Sequence, residues 1–210
     1  MPDLKQTLDW AFNALDMGRF GEVVSQVSPL LRIHDDDPQI PLVLGLALGL
    51  EGKPLEASEM FAQVIERDPD LIEAHFNLAK SYKDLGRLPE AETTYNNYLQ
   101  HHPNDTAALY NLANLLAEEN RMDEAEATFH TLLAEAPDHL DGKHNLALLL
   151  YRQGKPKDAL ALLDEVLRSD GDHRDAIRLQ RSILSENIPF WHFLMLNDQT
   201  RNDSYEAAIA

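Results

Sequence analysis

The sequence contains no cysteine among its 210 residues. Without a thiol, the chain forms no disulfide, offers no thiolate ligand to a metal and has no cysteine nucleophile. Basic residues are also few, because 18 Lys and Arg stand against 36 Asp and Glu and leave a net charge of −18 at pH 7. Nucleic acids and anionic lipids both attract basic surfaces, so we expect neither class as a partner.

Long apolar runs are absent as well. The longest runs from Ile40 to Leu50 and is shorter than the roughly 20 residues that span a bilayer. The N-terminal residues Met1 to Lys5 do not begin the charged-then-apolar pattern of a signal peptide. We therefore expect a cytoplasmic protein. The chain also lacks a His-Glu-x-x-His pattern and a glycine-rich phosphate loop, so we expect no metal site and no catalytic site in its repeats.

A six-residue pattern recurs every 34 residues along most of the chain. It reads Gly or Asn, basic, two variable residues, acidic, Ala, and it begins at Gly52, Gly86, Asn120 and Gly154, with a weaker copy at Gly18. An apolar residue followed by a small one precedes each copy in phase, at Trp10-Ala11, Leu44-Gly45, Leu78-Ala79, Leu112-Ala113 and Leu146-Ala147. A constant period of this length indicates an array of stacked structural repeats.

Each period carries two apolar stripes with helical spacing, which predicts two amphipathic α-helices joined by a short turn. A glycine at the turn permits the left-handed backbone that ends many helices. A single repeat cannot bury its own apolar stripe, whereas stacked repeats bury a continuous core. The pattern therefore predicts an all-α protein.

The period and the small-and-large pattern resemble the tetratricopeptide repeat (TPR). This resemblance implies a right-handed α-solenoid of five helix-turn-helix repeats, with a groove lined by the first helix of each repeat. The repeats would cover residues 4–173, as 4–37, 38–71, 72–105, 106–139 and 140–173. A capping helix would follow over 174–187, and an apolar segment with a helix would follow over 188–210.

The TPR resemblance also implies a peptide-binding groove. The candidate groove residues are Asn77, Asn111, Asn114, Asn145, Phe76, Tyr110, Lys80, Lys83, Tyr151 and Arg152. Three of the asparagines recur at the 34-residue step, and a side-chain amide carries both donors and an acceptor for a peptide backbone. The alternative is that these amides bond locally to a neighbouring helix. The basic residues share their face with acidic ones, so we predict no clamp for a carboxylate.

The apolar run from Ile40 to Leu50 has two interpretations. The favoured one is a tightly buried first helix of the second repeat. The other is an apolar patch in the groove, formed by Leu42 and Leu46, which would mark a partner site.

A different pattern begins after Pro189. It reads His192-x-x-Met195-Leu196-x-Asp198-x-x-Arg201-x-x-x-Tyr205. This spacing resembles the segment that opens the catalytic core of protein arginine methyltransferases, including those with N-terminal TPRs. The resemblance implies that Arg201 contacts the carboxylate of S-adenosylmethionine, for which a guanidinium is well suited. It also implies that Met195 lines the site, that Asp198 supports a distant histidine, and that His192 helps to close the cofactor pocket.

The glycine-rich cofactor loop and the paired-glutamate loop of that family are not among these residues. We therefore expect no catalysis and no cofactor for this chain alone, with S-adenosylmethionine relevant only to a longer parent protein. The sequence predicts a module that binds a protein or peptide, with a basic or Arg-rich segment as the expected partner. This module would form the N-terminal interaction region of an arginine-methyltransferase-like protein. The alternative is a stand-alone TPR scaffold or assembly protein whose apolar tail, residues 188–210, mediates self-association as a homodimer.

Overall fold

Eleven α-helices form the regular structure of residues 3–187, the part of the chain that the computed structural model describes. A 3-10 turn at Ser28–Arg32 follows the second helix, and no β-strand occurs within the described residues. The all-α prediction is thereby confirmed. The helices are α1 (Leu4–Asp16), α2 (Phe20–Val27), α3 (Gln39–Leu50), α4 (Pro54–Arg67), α5 (Ile72–Asp84), α6 (Leu88–His101), α7 (Thr106–Glu118), α8 (Met122–Glu135), α9 (Leu140–Arg152), α10 (Pro156–Ser169) and α11 (Arg174–Asn187).

The turns inside the repeats adopt the left-handed backbone that the sequence pattern predicts. The glycines at four of these turns have φ between 72° and 76°, and Asn120 takes the same place with φ 62°. At the glycine turns the next residue closes the helix end, as where the amide of Arg87 donates to the carbonyl of Tyr82 at 2.8 Å. Such a bond satisfies a carbonyl that the end of a helix would otherwise leave unpaired.

The chain divides into two compact bodies, an N-terminal body over Met1–Asn120 and a C-terminal body over Arg121–Ala210. In the N-terminal body consecutive helices pack together, and α1, α3, α5 and α7 also contact one another in turn. In the described part of the C-terminal body, α8 packs on α9, while α9, α10 and α11 contact one another. In each body the internal helices therefore pack against more than one neighbour.

The cores follow the period of the sequence. In the N-terminal body the small residues Ala11, Ala57, Ala79 and Ala91 have no exposed surface. In the C-terminal body the large side chain of Phe129 is 1% exposed. Small residues let two helices approach, and the large ones fill the remaining space, each worth about 1.5–3 kcal/mol when fully buried.

Helix α3 is buried along most of its length, as the favoured interpretation of its apolar run requires. Its residues from Ile40 to Gly45 are buried, together with Ala47. Its C-terminal end differs, because Leu50 is 56% exposed. None of the helices within residues 3–187 combines the length and the apolar character needed to cross a bilayer.

Helix α11 packs against α9 and α10 at the end of the described chain. The boundaries of the five repeats and of the cap stay predictions. The segment 188–210, which the sequence marks as distinct, lies outside the described residues.

Candidate functional site

Two asparagines of the predicted groove lie in the N-terminal body at matching places on α5 and α7. The side-chain amide of Asn77 donates to the backbone carbonyl of Glu73 at 2.9 Å, and that of Asn111 donates to the carbonyl of Ala107 at 2.8 Å. Both side chains are half-buried. The local bond uses one of the two N–H groups of each amide. Within residues 3–187, neither amide oxygen accepts a hydrogen bond.

The two predicted lysines of α5 differ in their surroundings. Lys83 donates from Nζ to the carboxylate of Glu118 on α7, at 2.7 Å. Its charge is therefore already paired within the N-terminal body. Lys80 is exposed, and no carboxylate of the described residues forms an ion pair with it.

The aromatic candidates of the N-terminal body are half-buried. The ring of Phe76 lies 6.0 Å from that of Tyr95, centroid to centroid, at an interplanar angle of 58°. Burial raises the pKa of Tyr95 to about 12, with a further contribution from the negative charge of Glu118. Tyr110 and Asn114 lie on α7 and are half-buried as well. The aromatic rings are thus partly buried in the core.

A pocket of about 100 Å³ opens between α3 and α5 in this body. One wall is apolar and comes from the end of α3 with Phe61 behind it, and the other wall is polar and comes from α5. Its principal lining residues are Leu46, Gly49, Leu50, Asn77, Lys80 and Asp84. Two of the predicted groove residues, Asn77 and Lys80, therefore lie on the polar wall of the pocket. The opposite wall, from α3, carries no charged side chain.

The sequence prediction did not include Gly49 and Leu50 among the groove residues. A signal for them exists, because residue 49 stands 34 positions before Lys83 and 102 before Tyr151. The same place in the other four repeats holds a side chain, at Leu15, Lys83, Ala117 and Tyr151. In the second repeat glycine therefore lines the pocket without filling it.

The remaining candidates belong to the C-terminal body and lie on α9. Nδ1 of His144 stands 3.1 Å from Oδ1 of Asn145, so this amide oxygen has a partner that the other two lack. Tyr151 is half-buried and Arg152 is exposed. Nearby, Lys143 on α9 pairs with Glu165 on α10 at 2.7 Å.

No group of three or more His, Asp or Glu side chains within residues 3–187 is arranged to hold a metal ion. The four residues that the methyltransferase resemblance singles out, His192, Met195, Asp198 and Arg201, lie outside the described residues. Their proposed roles stay predictions.

Several solved structures have the same fold as this chain. YrrB, described as a TPR protein with an unusual peptide-binding site, is 18% identical, with a TM-score of 0.66 over 85% of this chain and 92% of its own. MamA from Desulfovibrio magneticus RS-1 is 16% identical, with a TM-score of 0.68 over 81% of this chain and 96% of its own. TTC0263 from Thermus thermophilus is 20% identical, with a TM-score of 0.63 over 86% of this chain and 98% of its own. At these identities the likeness concerns the fold alone, and it confirms the predicted TPR solenoid class.

Sequence comparison gives the family. No curated protein matches the chain. One profile of the tetratricopeptide repeat matches residues 42–99 and 76–139, and a second profile of the same repeat matches residues 116–183. Together the matches run from residue 42 to residue 183, well over half of the 210 residues. With the period, the helical pairs and the turns described above, they place this chain in the tetratricopeptide repeat family.

Proposed function

We propose that this chain binds an extended peptide segment of a partner protein on the faces of α5 and α7. Proteins of the TPR family act as interaction modules, and this chain is one of them. The observation that carries the proposal is the pair of amides at Asn77 and Asn111. Each is anchored to its own helix by one N–H group and keeps an oxygen that no described residue bonds.

The local bonds support this role. They lie within the helix of each asparagine and not to a neighbouring helix, and they are compatible with peptide binding, since the second N–H group and the oxygen remain for a ligand. An amide that is already held in one orientation loses less side-chain freedom on binding, which favours affinity. The two amides therefore suit a peptide backbone, whose N–H and C=O groups occur in every sequence.

We further propose that the partner segment is basic. The chain carries a net charge of −18, and Glu73 and Asp84 on α5 are exposed beside the anchored amide of Asn77. Lys83, one of the two lysines of α5 that would oppose a basic ligand, is paired with Glu118, whereas Lys80 remains unpaired among the described residues. YrrB, a TPR protein with the same fold, is itself described as having a peptide-binding site.

Fluorescence anisotropy with a labelled decapeptide rich in arginine tests this proposal. We expect binding that weakens steeply between low and high salt, because exposed charges are screened. Replacing both Asn77 and Asn111 with Ala should weaken binding about thirtyfold, since two net hydrogen bonds of about 1 kcal/mol each are lost. Asn96→Ala, an exposed asparagine on α6, is the matched control and should leave affinity unchanged. Equal affinity for the double variant and the parent chain would remove the amides from the site.

The methyltransferase connection is a second proposal and rests on the spacing of residues 192–205 alone. We propose that the interaction module belongs to a longer S-adenosylmethionine-dependent protein and that Arg201 serves the cofactor there. Calorimetry with S-adenosylmethionine on this chain should show no heat of binding. The same titration on a chain that extends beyond Ala210 should show binding that Arg201→Lys weakens, and its absence would contradict the connection.

The stand-alone alternative is equally compatible with the TPR fold. In that case the apolar stretch within 188–210 would join two copies of the chain. Light scattering on the full chain and on a chain that ends at residue 187 separates the two proposals. An unchanged mass after the deletion would exclude self-association through this segment. The cytoplasmic location stays a prediction.

A further inference from the structure

The pocket between α3 and α5 differs from the rest of the predicted groove in its chemistry. Its α3 wall consists of Leu46, Gly49 and Leu50, whereas α5 supplies Asn77, Lys80 and Asp84. Leu50 is 56% exposed, although it is an apolar residue on an otherwise buried helix. A wall that is apolar and open to solvent on one side, with charges on the other, is typical of a site for an amphipathic ligand.

The size of the pocket limits what it can hold. Its volume is about 100 Å³, smaller than an enclosed apolar cavity of about 150 Å³ that binds benzene. The pocket therefore suits a branched aliphatic side chain of three or four carbons better than an aromatic ring. Gly49 is what provides the room, because an added Cβ there would meet only the Cβ of Ala57, at 3.9 Å.

The groups around the pocket indicate how a peptide would lie. Asn77 lines the pocket, and its amide oxygen, which accepts no hydrogen bond within residues 3–187, can accept from a peptide N–H group. Asp84 is exposed, and no cation within residues 3–187 forms an ion pair with it. A basic residue of the peptide, next to the aliphatic residue that enters the pocket, would form an ion pair with Asp84. The Nζ of Lys80 would donate to a peptide carbonyl.

We propose that this pocket binds an aliphatic side chain of valine to leucine size from the partner peptide, adjacent to a basic residue that pairs with Asp84. The inference rests on the proposed peptide-binding function and names the residue type that anchors the peptide. It assigns the apolar end of α3 a role in specificity, while the amides of α5 and α7 hold any backbone.

Selection of random decapeptides displayed on phage, against the full chain at low salt, provides the probes. The selected peptides should share one Val, Ile or Leu next to Lys or Arg. Gly49→Leu should fill the pocket and weaken the binding of these peptides at least tenfold. The fold should persist in this variant, because a helical glycine with free space beside it accepts a side chain. Circular dichroism and urea unfolding check this point.

Two exposed leucines form a matched pair for the pocket. Leu50 lines it, whereas Leu55 is 51% exposed at the start of α4 and does not. Leu50→Ser should weaken binding, and Leu55→Ser should leave it unchanged. A peptide whose aliphatic residue is changed to Ala should bind the parent chain more weakly but the Gly49→Leu variant no differently, because the pocket is already filled.

The outcomes separate this inference from the proposed function. Selected peptides that bind Gly49→Leu as tightly as the parent chain, or that share no aliphatic residue, would overturn the pocket and leave peptide binding intact. A preference for an aromatic residue would overturn the size argument. A selection that enriches no peptide at all would overturn both proposals.

Discussion

The ring of Phe61 occupies the space beside Gly45, where a side chain would otherwise lie. Its Cε1 atom is 2.7 Å from the position that a Cβ on residue 45 would take. Both residues are buried, on α4 and α3 respectively. At the matching place the other repeats carry alanine, as at Ala11 and Ala79. In the second repeat the alanine methyl group is absent, and the ring of Phe61 packs closer to the backbone of α3 instead.

Gly45→Ala should therefore destabilise the protein. Alanine favours a helix over glycine by about 1 kcal/mol, but a contact below 3.0 Å with a buried ring forces Phe61 to move. Overpacking of this kind costs about 1–3 kcal/mol, so we expect a net loss in the free energy of unfolding. Urea denaturation followed by circular dichroism measures it.

Gly49→Ala is the control for this substitution, because it changes the same helix where the space is free. The nearest atom to its added Cβ is 3.9 Å away, which is an ordinary van der Waals contact. Only the gain in helix propensity then remains, and we expect about 0.5–1 kcal/mol of stabilisation. A stabilising effect at both positions would show that Phe61 adjusts without cost.

Asn120 offers a second test, because it holds a left-handed backbone with φ 62° where the other repeats have glycine. Asn120→Gly should stabilise the protein by up to about 1 kcal/mol, since glycine adopts this conformation without steric cost. Asn120→Ala should destabilise it by about 1 kcal/mol, because the Cβ of an ordinary residue crowds the backbone there. Asn96→Ala, in the middle of α6, is the control and should not destabilise. Urea unfolding measures these changes. A higher free energy of unfolding for Asn120→Ala than for Asn120→Gly would contradict the left-handed backbone at this turn.

The helical array could be predicted from the sequence because one periodic rule specifies it. The 34-residue step places Ala57, Ala91, Ala125 and Ala159 in the cores, and each of them has no exposed surface. The glycines of the turns were predictable for the same reason, since each completes a helix end. Such features are local in the sequence or repeated along it.

The pocket could not be predicted in the same way, because it depends on a residue that departs from the repeat. Gly49 lines the pocket without a side chain, and Phe61 on the next helix supplies another part of the lining. The ion pair between Lys83 and Glu118 was also not predicted, although Lys83 was assigned to the groove. Periodicity places residues on a face, whereas pairing between two helices depends on the distances that packing sets.

Asp105 should contribute to stability through both of its carboxylate oxygens. Oδ1 accepts from the backbone N–H of Ala108 at 2.9 Å and caps the start of α7, while Oδ2 accepts from the hydroxyl of Tyr98 at 3.1 Å. Asp105→Ala should therefore cost about 2 kcal/mol, roughly 1 for the cap and 1 for the tyrosine bond. Tyr98→Phe should cost only the second part.

A double-mutant cycle in urea separates the two parts. Because the Tyr98 hydroxyl donates to Asp105, Tyr98→Phe should cost nothing further once Asp105 is Ala. Strictly additive effects of the two substitutions would contradict it. Asp138→Ala, an exposed aspartate in the loop before α9, is the control for removing a negative charge and should change stability little.

Two buried tyrosines should make the N-terminal body sensitive to high pH. Burial raises the pKa of Tyr95 and of Tyr98 to about 12, and negative charges at Glu118 and Asp105 respectively add to the shift. The pKa of tyrosine in an unfolded chain is about 10. Above that pH the unfolded state loses protons that the folded state keeps, so the free energy of unfolding falls as the pH rises towards 12. The slope should approach about 1.4 kcal/mol per pH unit for each tyrosine.

Urea unfolding at about pH 9, 10 and 11, on either side of the ordinary tyrosine pKa, measures this slope, and Tyr95→Phe provides the comparison. Phenylalanine retains the buried ring, which is 5% exposed in the parent chain, but has no proton to release. The variant should therefore lose less stability between about pH 10 and 11 than the parent chain does. An absorbance titration of the phenolate band should likewise show one fewer tyrosine ionising late in the folded variant. An identical pH dependence for the two proteins would mean that Tyr95 ionises as readily in the folded as in the unfolded chain. That result would contradict the raised pKa that follows from the burial of Tyr95 beside Phe76.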